Sequence, residues 1–198
     1  MRKLLIAALS LLPTLAWAQA APIPHQMSVD DLQIVTAAVT DEPSIVVGSP
    51  NDPKASRKVT PFRLAPDLDT TLVWLQIRNT GRDAVDVPYR RLRLIYPNPL
   101  NSRSAMGLTD LKGPWGRYLS WAVAPPAGNP MFFEQEIANQ AERFLNTKLF
   151  PGGTIPPGGN KEGYVAFAKS EAVTRAVLLE MEVQQGERAR SVTSPVAQ

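Results

Sequence analysis

Between residues 72 and 79 the chain reads Leu-Val-Trp-Leu-Gln-Ile-Arg-Asn. Val73, Leu75 and Ile77 fall on one side of this segment, and Gln76 and Arg78, with Trp74 among them, fall on the other. A period of two is the pattern of a half-buried β-strand. The strand runs into Asn79-Thr80-Gly81-Arg82-Asp83. Asparagine tolerates and glycine favours positive φ, so this stretch is a turn. The segment therefore commits the chain to a sheet with one apolar and one polar face.

Other segments read the same way. Leu32 to Val39 can form an earlier strand, and Ile45 to Val47 is a short β-branched run. Ala84 to Val87 resumes the sheet, and Pro88 places an edge or a bend after it. Arg90 to Tyr96 alternates again, with Leu92, Leu94 and Tyr96 facing one way and Arg91, Arg93 and Ile95 the other. Gly163 to Ala168 is a strand. Arg175 to Val183 is another, with Val177, Leu179, Met181 and Val183 inward and Glu180 and Glu182 outward. Gly48 to Lys58 is a polar loop, and residues 97 to 130 are loop-rich. Asn129 then serves as a helix cap and Pro130 as the first helical position. Phe133, Ile137, Ala141, Phe144 and Leu145 recur on one helical face. Phe150 to Gly159 is a connection rich in glycine and proline. Many short strands, frequent turns and one helix predict a mainly β fold: an immunoglobulin-like antiparallel β-sandwich with one inserted α-helix.

The front of the chain has its own signature. Arg2 and Lys3 precede an apolar run from Leu4 to Leu12, and small residues follow at Ala16, Ala18 and Ala20. That is the layout of a cleavable secretory signal peptide, cut after Ala20 or, as second choice, after Ala18. The apolar run is about half of the ~20 residues a spanning helix needs. The expected organisation is a signal peptide over 1–20, then an extended leader over 21–31, where Pro22 and Pro24 oppose a helix. A single sandwich domain over 32–184 carries the loop and helix insertion at about 97–148, and a flexible tail covers 185–198. The expected location is periplasmic or secreted, with no membrane span. Export invites disulfides, but the chain has no cysteine, so its stability must come from an ordinary core. Setting Arg2 and Lys3 aside leaves 19 of the 21 basic side chains against 18 acidic ones. A charge so near neutral gives no argument for nucleic acid as a partner.

The strand ending in Asn79-Thr80-Gly81 and the Leu92-x-Leu94 pair are followed by Ile155-Pro-Pro-Gly-Gly-Asn-Lys-Glu-Gly-Tyr-Val-Ala-Phe167 and a last apolar strand. Together they resemble the immunoglobulin-like domains of bacterial envelope proteins. The resemblance covers roughly Leu72 to Val183, with the helical segment as an insertion. It implies binding, adhesion or assembly, and no shared catalytic residues.

The inventory of reactive side chains points away from an enzyme. Without cysteine there is no thiol nucleophile and no thiolate metal site. His25 is the only histidine, and it stands in the expected leader, whereas a Ser-His-Asp triad holds its histidine rigidly. A zinc site with three nitrogen or sulfur ligands cannot be built. His25 and Met27 are ligands that copper accepts, but Met106, Met131 and Met181 are scattered, so no metal and no cofactor are expected. The stretch from Gly152 to Gly163 lacks the Gly-Lys-Ser/Thr ending of a phosphate-binding loop. The acid pairs Asp30-Asp31 and Asp67/Asp69 read as solvated.

Two features remain as candidate contact surfaces. Lys112 to Trp121 gathers Trp115, Arg117, Tyr118 and Trp121 among glycine and proline. Its aromatics either anchor a protein or sugar or fold inward as a small core under the loop. Arg91 and Arg93 lie on the solvent face of a strand. They either meet anionic partners or form a charged face that discourages aggregation. The expected function is a non-catalytic accessory protein that binds another envelope, pilus or secretion-system protein through Trp115, Arg117, Tyr118, Trp121, Arg91 and Arg93. The alternative is a carbohydrate- or small-ligand-binding module using the aromatic loop.

Overall fold

The alternating segment forms the longest strand of a computed structural model that describes residues 24–47, 57–65, 68–116, 119, 130–169 and 178–196. In chain order the strands are β1 (His25–Val29), β2 (Leu32–Ala38), β3 (Ile45–Val47), β4 (Arg57–Val59), β5 (Thr70–Asn79), β6 (Val85–Val87), β7 (Arg93–Ile95), β8 (Arg103–Ser104), β9 (Gly153–Ile155), β10 (Asn160–Ala168), β11 (Leu178–Gln185) and β12 (Arg188–Pro195). The helices are α1 (Leu108–Lys112) and α2 (Pro130–Lys148). A first sheet has the order β1-β2-β5-β10. In the second, β11 pairs with β12 on one side and with β6 and β7 on the other; β9 lies beyond β6 and β8 beyond β7. β3 and β4 pair separately. Strand pairing within the sheets is antiparallel. The fold is mainly β, an antiparallel sandwich with an inserted long helix.

The two sheets bury their apolar faces against each other. Leu32, Ile34, Val73, Leu75, Ile77, Val165 and Phe167 from the first sheet share one core with Val85, Val87, Leu94, Leu179, Met181, Val183 and Val192 from the second. One polar bridge crosses this core: the Thr36 hydroxyl lies 3.0 Å from the Ser194 hydroxyl and donates to the Pro195 carbonyl at 2.6 Å. A second core lies on the opposite face of the first sheet. There α2 lays Ile137, Ala141 and Leu145, spaced four apart on one helical face, over Leu72 and Ala166, with Phe62, Leu111, Trp115 and Leu119 filling the space. The first sheet is thus a middle layer, but α2 covers only part of its outer face.

Four segments expected to be irregular are strands. The leader contains β1, whose five residues pair with β2 through a two-residue turn at Asp30-Asp31. Asp30 has φ 48°, a left-handed conformation that aspartate tolerates because its short side chain bonds locally. His25 therefore sits in a paired strand and not in a loose terminus. The tail contains β12, which pairs with β11 across the Gly186-Glu187 turn. Its inward positions are Val192, Ser194 and Val196, and the serine interrupts the apolar pattern while its hydroxyl is satisfied by Thr36. The polar loop after Val47 ends in β4, and the Gly/Pro connection contains β9. Both are three residues long, too short to show a period. The expected signal peptide lies outside the described residues.

Asn79 ties the end of β5 to its surroundings. It is fully buried. Its Nδ2 donates to the carbonyls of Asp83 at 2.8 Å and Ile155 at 3.0 Å, and its Oδ1 accepts from the Gly81 N–H at 3.0 Å. Its backbone N–H donates to the Gly159 carbonyl, and its carbonyl accepts from the Gly158 N–H, both at 2.9 Å. The side chain thereby fixes the 80–83 turn against β9, and the backbone of the same residue holds the turn that leads into β10. Further along β10, a Cβ on Gly163 would stand 2.5 Å from the Phe150 nitrogen, so only glycine lets the chain leaving α2 cross the strand there.

Candidate functional site

Where α2 stops covering the first sheet, the outer face turns polar in register. The outermost row runs Ser28, Gln33, Arg78, Asn160 across β1, β2, β5 and β10. The next runs Gln26, Val35, Gln76, Glu162, and the third holds Ala37, Trp74 and Tyr164. Residues paired in register share a face. Their opposite neighbours along each strand, such as Ile34 and Ile77, are the buried core, so the period of two that builds the sandwich also assembles this shelf.

The shelf is concave. A hollow of about 310 Å³ is lined by Gln26, Gln33, Val35, Gln76, Arg78, Gly158 and Asn160. Gln76 donates to the Glu162 carboxylate at 2.9 Å. Arg78 is exposed, and among the described residues it makes no ion pair. Trp74 does not line the hollow but lies two residues from Gln76 on the same face and so about 7 Å further along the strand. It packs edge-to-face on Tyr164 with ring centroids 5.0 Å apart; Tyr164 packs on Phe62 at 5.6 Å, and Phe62 on Phe144 of α2 at 6.3 Å. Edge-to-face pairs each contribute ~0.5–1.5 kcal/mol beyond area burial, so the ladder holds Trp74 in one orientation. Side-chain amides both donate and accept. A hollow of amides and one guanidinium on a rigid sheet, with an indole on the next row but one of the same face, is equipped to bind a polar ligand.

The residues singled out in the sequence go elsewhere. Trp115 is 3% exposed and packs in the second core beside Leu119 and Leu111, so it is not a surface contact. The covering helix and sheet leave no other place for so large an apolar ring. Arg117, Tyr118 and Trp121 lie outside the described residues. Arg93 is on the outer face of β7 as expected, whereas Arg91 lies in a 3-10 turn, Tyr89–Arg91, that precedes the strand, so the expected strand over 90–96 is shorter; each arginine faces a glutamate of β11. The Arg91–Glu182 and Arg93–Glu180 separations are both 3.6 Å, and Arg93 also donates to the Ser102 hydroxyl at 2.9 Å. These are two charge pairs along β11, not an unpaired basic patch. Exposed pairs of this kind are each worth about 0.2–1 kcal/mol, so Arg91→Ala with Arg93→Ala should shift stability by no more than about 2 kcal/mol in total. A thermal melt at low and high salt measures this, and a larger loss would assign the stripe a packing role.

Among the described residues two titratable groups depart from their ordinary behaviour, both away from the shelf. Burial pushes the Tyr89 phenol well above its usual range, and its hydroxyl donates to the Met106 carbonyl at 2.8 Å. Burial raises the Glu42 carboxyl, opposed by Arg63, whose Nε lies 2.5 Å from it. Asp69 links Arg63, at 3.6 Å, to Lys169, at 2.7 Å. Among the described residues no group of three or more metal-ligating side chains is placed to hold an ion, and no helix is long and apolar enough to cross a membrane.

The sequence pattern already contained the shelf's main strand: Trp74, Gln76 and Arg78 form the polar side of the segment that defines the fold. The contributions of Gln26, Gln33 and Asn160 required the register of β1, β2 and β10.

The fold and the shelf define an antiparallel β-sandwich with a helical third layer and an open, amide-lined sheet face. No protein-family model and no curated protein matches the chain. Two solved structures align with most of it. One is a functionally unknown protein from Listeria monocytogenes EGD-e, 14% identical, with 87% of this chain and 80% of that one covered and a TM-score of 0.37. The other is MPT63, a secreted protein from Mycobacterium tuberculosis, 11% identical, with 86% and 95% covered and a TM-score of 0.33. Likeness at this level carries no argument about function.

Proposed function

We propose that this protein is an exported, non-catalytic binding module with an immunoglobulin-like sandwich, and that it holds a saccharide on the open half of its first sheet. The observation that carries this reading is the pairing of the amide-lined hollow with the fixed Trp74 ring. Sugar hydroxyls need neighbours that both donate and accept, which Gln26, Gln33, Gln76 and Asn160 do. The C–H faces of sugars pack on aromatic rings, which bury large areas at small entropy cost. The signal-peptide pattern at the front of the chain supports export. The aromatic platform differs from the one the sequence suggested, because Trp115 belongs to the core.

A second reading, in which the partner is another envelope protein, is supported by two strand edges. Among the described residues β1 pairs only with β2 and β12 only with β11, and such edges can accept a partner strand. One experiment separates the two. A panel of oligosaccharides is titrated against the folded protein, the Trp74→Ala variant and the Gln76→Ala variant. Trp74→Ala should weaken the best ligand by about 30-fold or more, as for a central aromatic anchor worth ~2 kcal/mol. If nothing on the panel binds, the saccharide reading falls and the strand-edge reading takes its place.

A further inference from the structure

The outermost row of the shelf differs in kind from the row behind it. Ser28, Gln33, Arg78 and Asn160 stand side by side across four strands, and this row contains a guanidinium but no carboxylate. The one carboxylate on the shelf, Glu162, lies in the next row and is engaged by Gln76 at 2.9 Å. Elsewhere among the described residues Arg91, Arg93 and Arg190 each face one acid, and Arg63 faces two. Arg78 does not, although it lines the hollow. Its planar fork of donors matches a carboxylate bidentately, and Gln33 and Asn160 flank it with further donors.

Resting on the saccharide reading, we propose that the ligand is an acidic saccharide, with Arg78 pairing a uronate carboxylate, the flanking amides holding its hydroxyls and Trp74 packing on a neighbouring ring. A saccharide fits better than an acidic peptide because the site is a sheet face. Extended peptides are commonly captured by main-chain pairing at sheet edges, and the hollow offers side chains only, apart from Gly158.

The test uses oligomers of galacturonate, glucuronate and mannuronate–guluronate, each beside its methyl ester, which keeps the sugar and removes the charge. At low salt at least one acid should bind about tenfold or more tightly than its own ester. Arg78→Met should remove the acid's advantage, so that acid and ester bind the variant within about twofold of each other, while Trp74→Ala should weaken both and keep their ratio. Circular dichroism confirms that each variant is folded; Arg78→Lys, which keeps the charge and loses the fork, should fall between the wild type and Arg78→Met. Equal, Trp74-dependent binding of acid and ester overturns the acidic specificity and leaves the saccharide site standing. Binding of neither overturns both. Capture of an oligoglutamate peptide in preference to every uronate overturns the proposal in favour of a protein ligand.

Discussion

Asn79→Leu is expected to lose roughly 3–5 kcal/mol of stability, enough to threaten folding of a domain in the ~5–15 kcal/mol range. The residue is fully buried, and leucine is close to it in size, so the loss is not a cavity effect. It is the cost of stranding the buried Ile155 carbonyl and of losing two part-buried bonds, to the Asp83 carbonyl and from the Gly81 N–H, each worth a further ~0.5–1.5 kcal/mol. Each buried group left unsatisfied costs about 1–3 kcal/mol. Asn79→Asp gives a sharper diagnosis. Aspartate presents acceptors to the same two carbonyls, so its carboxyl must be protonated to keep a donor, and its folded-state pKa rises above the unfolded value of about 3.9. A raised folded pKa favours the native state below the unfolded value, and that benefit is lost as pH rises through the folded one. One carboxyl proton serves only one of the two carbonyls, so the gap between Asn79→Asp and wild type should persist near pH 4 but be clearly narrower there than at pH 7, while the Asn79→Leu gap changes little. Denaturant melts at the two pH values decide this; a gap independent of pH for the aspartate would mean the side chain does not face those carbonyls.

Asn79 also shows how far the sequence could be read. Its place at the end of an alternating strand, before a glycine, marks it as a turn residue, and that is correct. That it reaches across to β9 could not be known, because β9 is three residues long and sits in a segment rich in glycine and proline. The strands that alternation revealed, β5, β7 with its flanks, and β11, each set three apolar residues at successive inward positions: Val73, Leu75 and Ile77; Leu92, Leu94 and Tyr96; Leu179, Met181 and Val183. Those it missed hide for particular reasons: β12 turns a serine inward, and β1 follows two prolines and presents only Met27 and Val29 toward the core. The helix was legible from its proline start and its apolar stripe, although its placement on the outer face of the first sheet was not. The shelf was half legible. Trp74, Gln76 and Arg78 are visible as the polar side of β5, but alternation says only that they face away from the core, and it took pairing with β1, β2 and β10 to show that the face is a hollow and not a solvated wall. Attention went to Trp115 because clustered aromatics among glycine and proline look the same in sequence whether they line a surface or fill a core.

Trp115 provides the complementary test, since its two readings predict opposite outcomes. Packed at 3% exposure among Leu111, Leu119 and the inner face of α2, it should behave as a core residue: Trp115→Ala should cost about 3–5 kcal/mol, the usual range for deleting a large buried aromatic side chain. Binding at the shelf by the fraction that remains folded should be unchanged, because the indole touches the second core and not the rows of Gln33 and Gln76. Trp115→Phe is the more informative variant. Its indole N–H is buried and finds no hydrogen-bond partner among the described residues, and an unsatisfied buried donor carries a penalty of about 1–3 kcal/mol. Phenylalanine removes that donor while giving up part of the ring volume, so the two effects oppose each other and the variant should melt within roughly 1.5 kcal/mol of wild type. A contact-surface tryptophan would behave otherwise: alanine would leave the melt unchanged and abolish partner binding. Paired melts and titrations of both variants therefore locate Trp115 by its energetics alone, and an unshifted melt for Trp115→Ala would return the 112–121 loop to the surface.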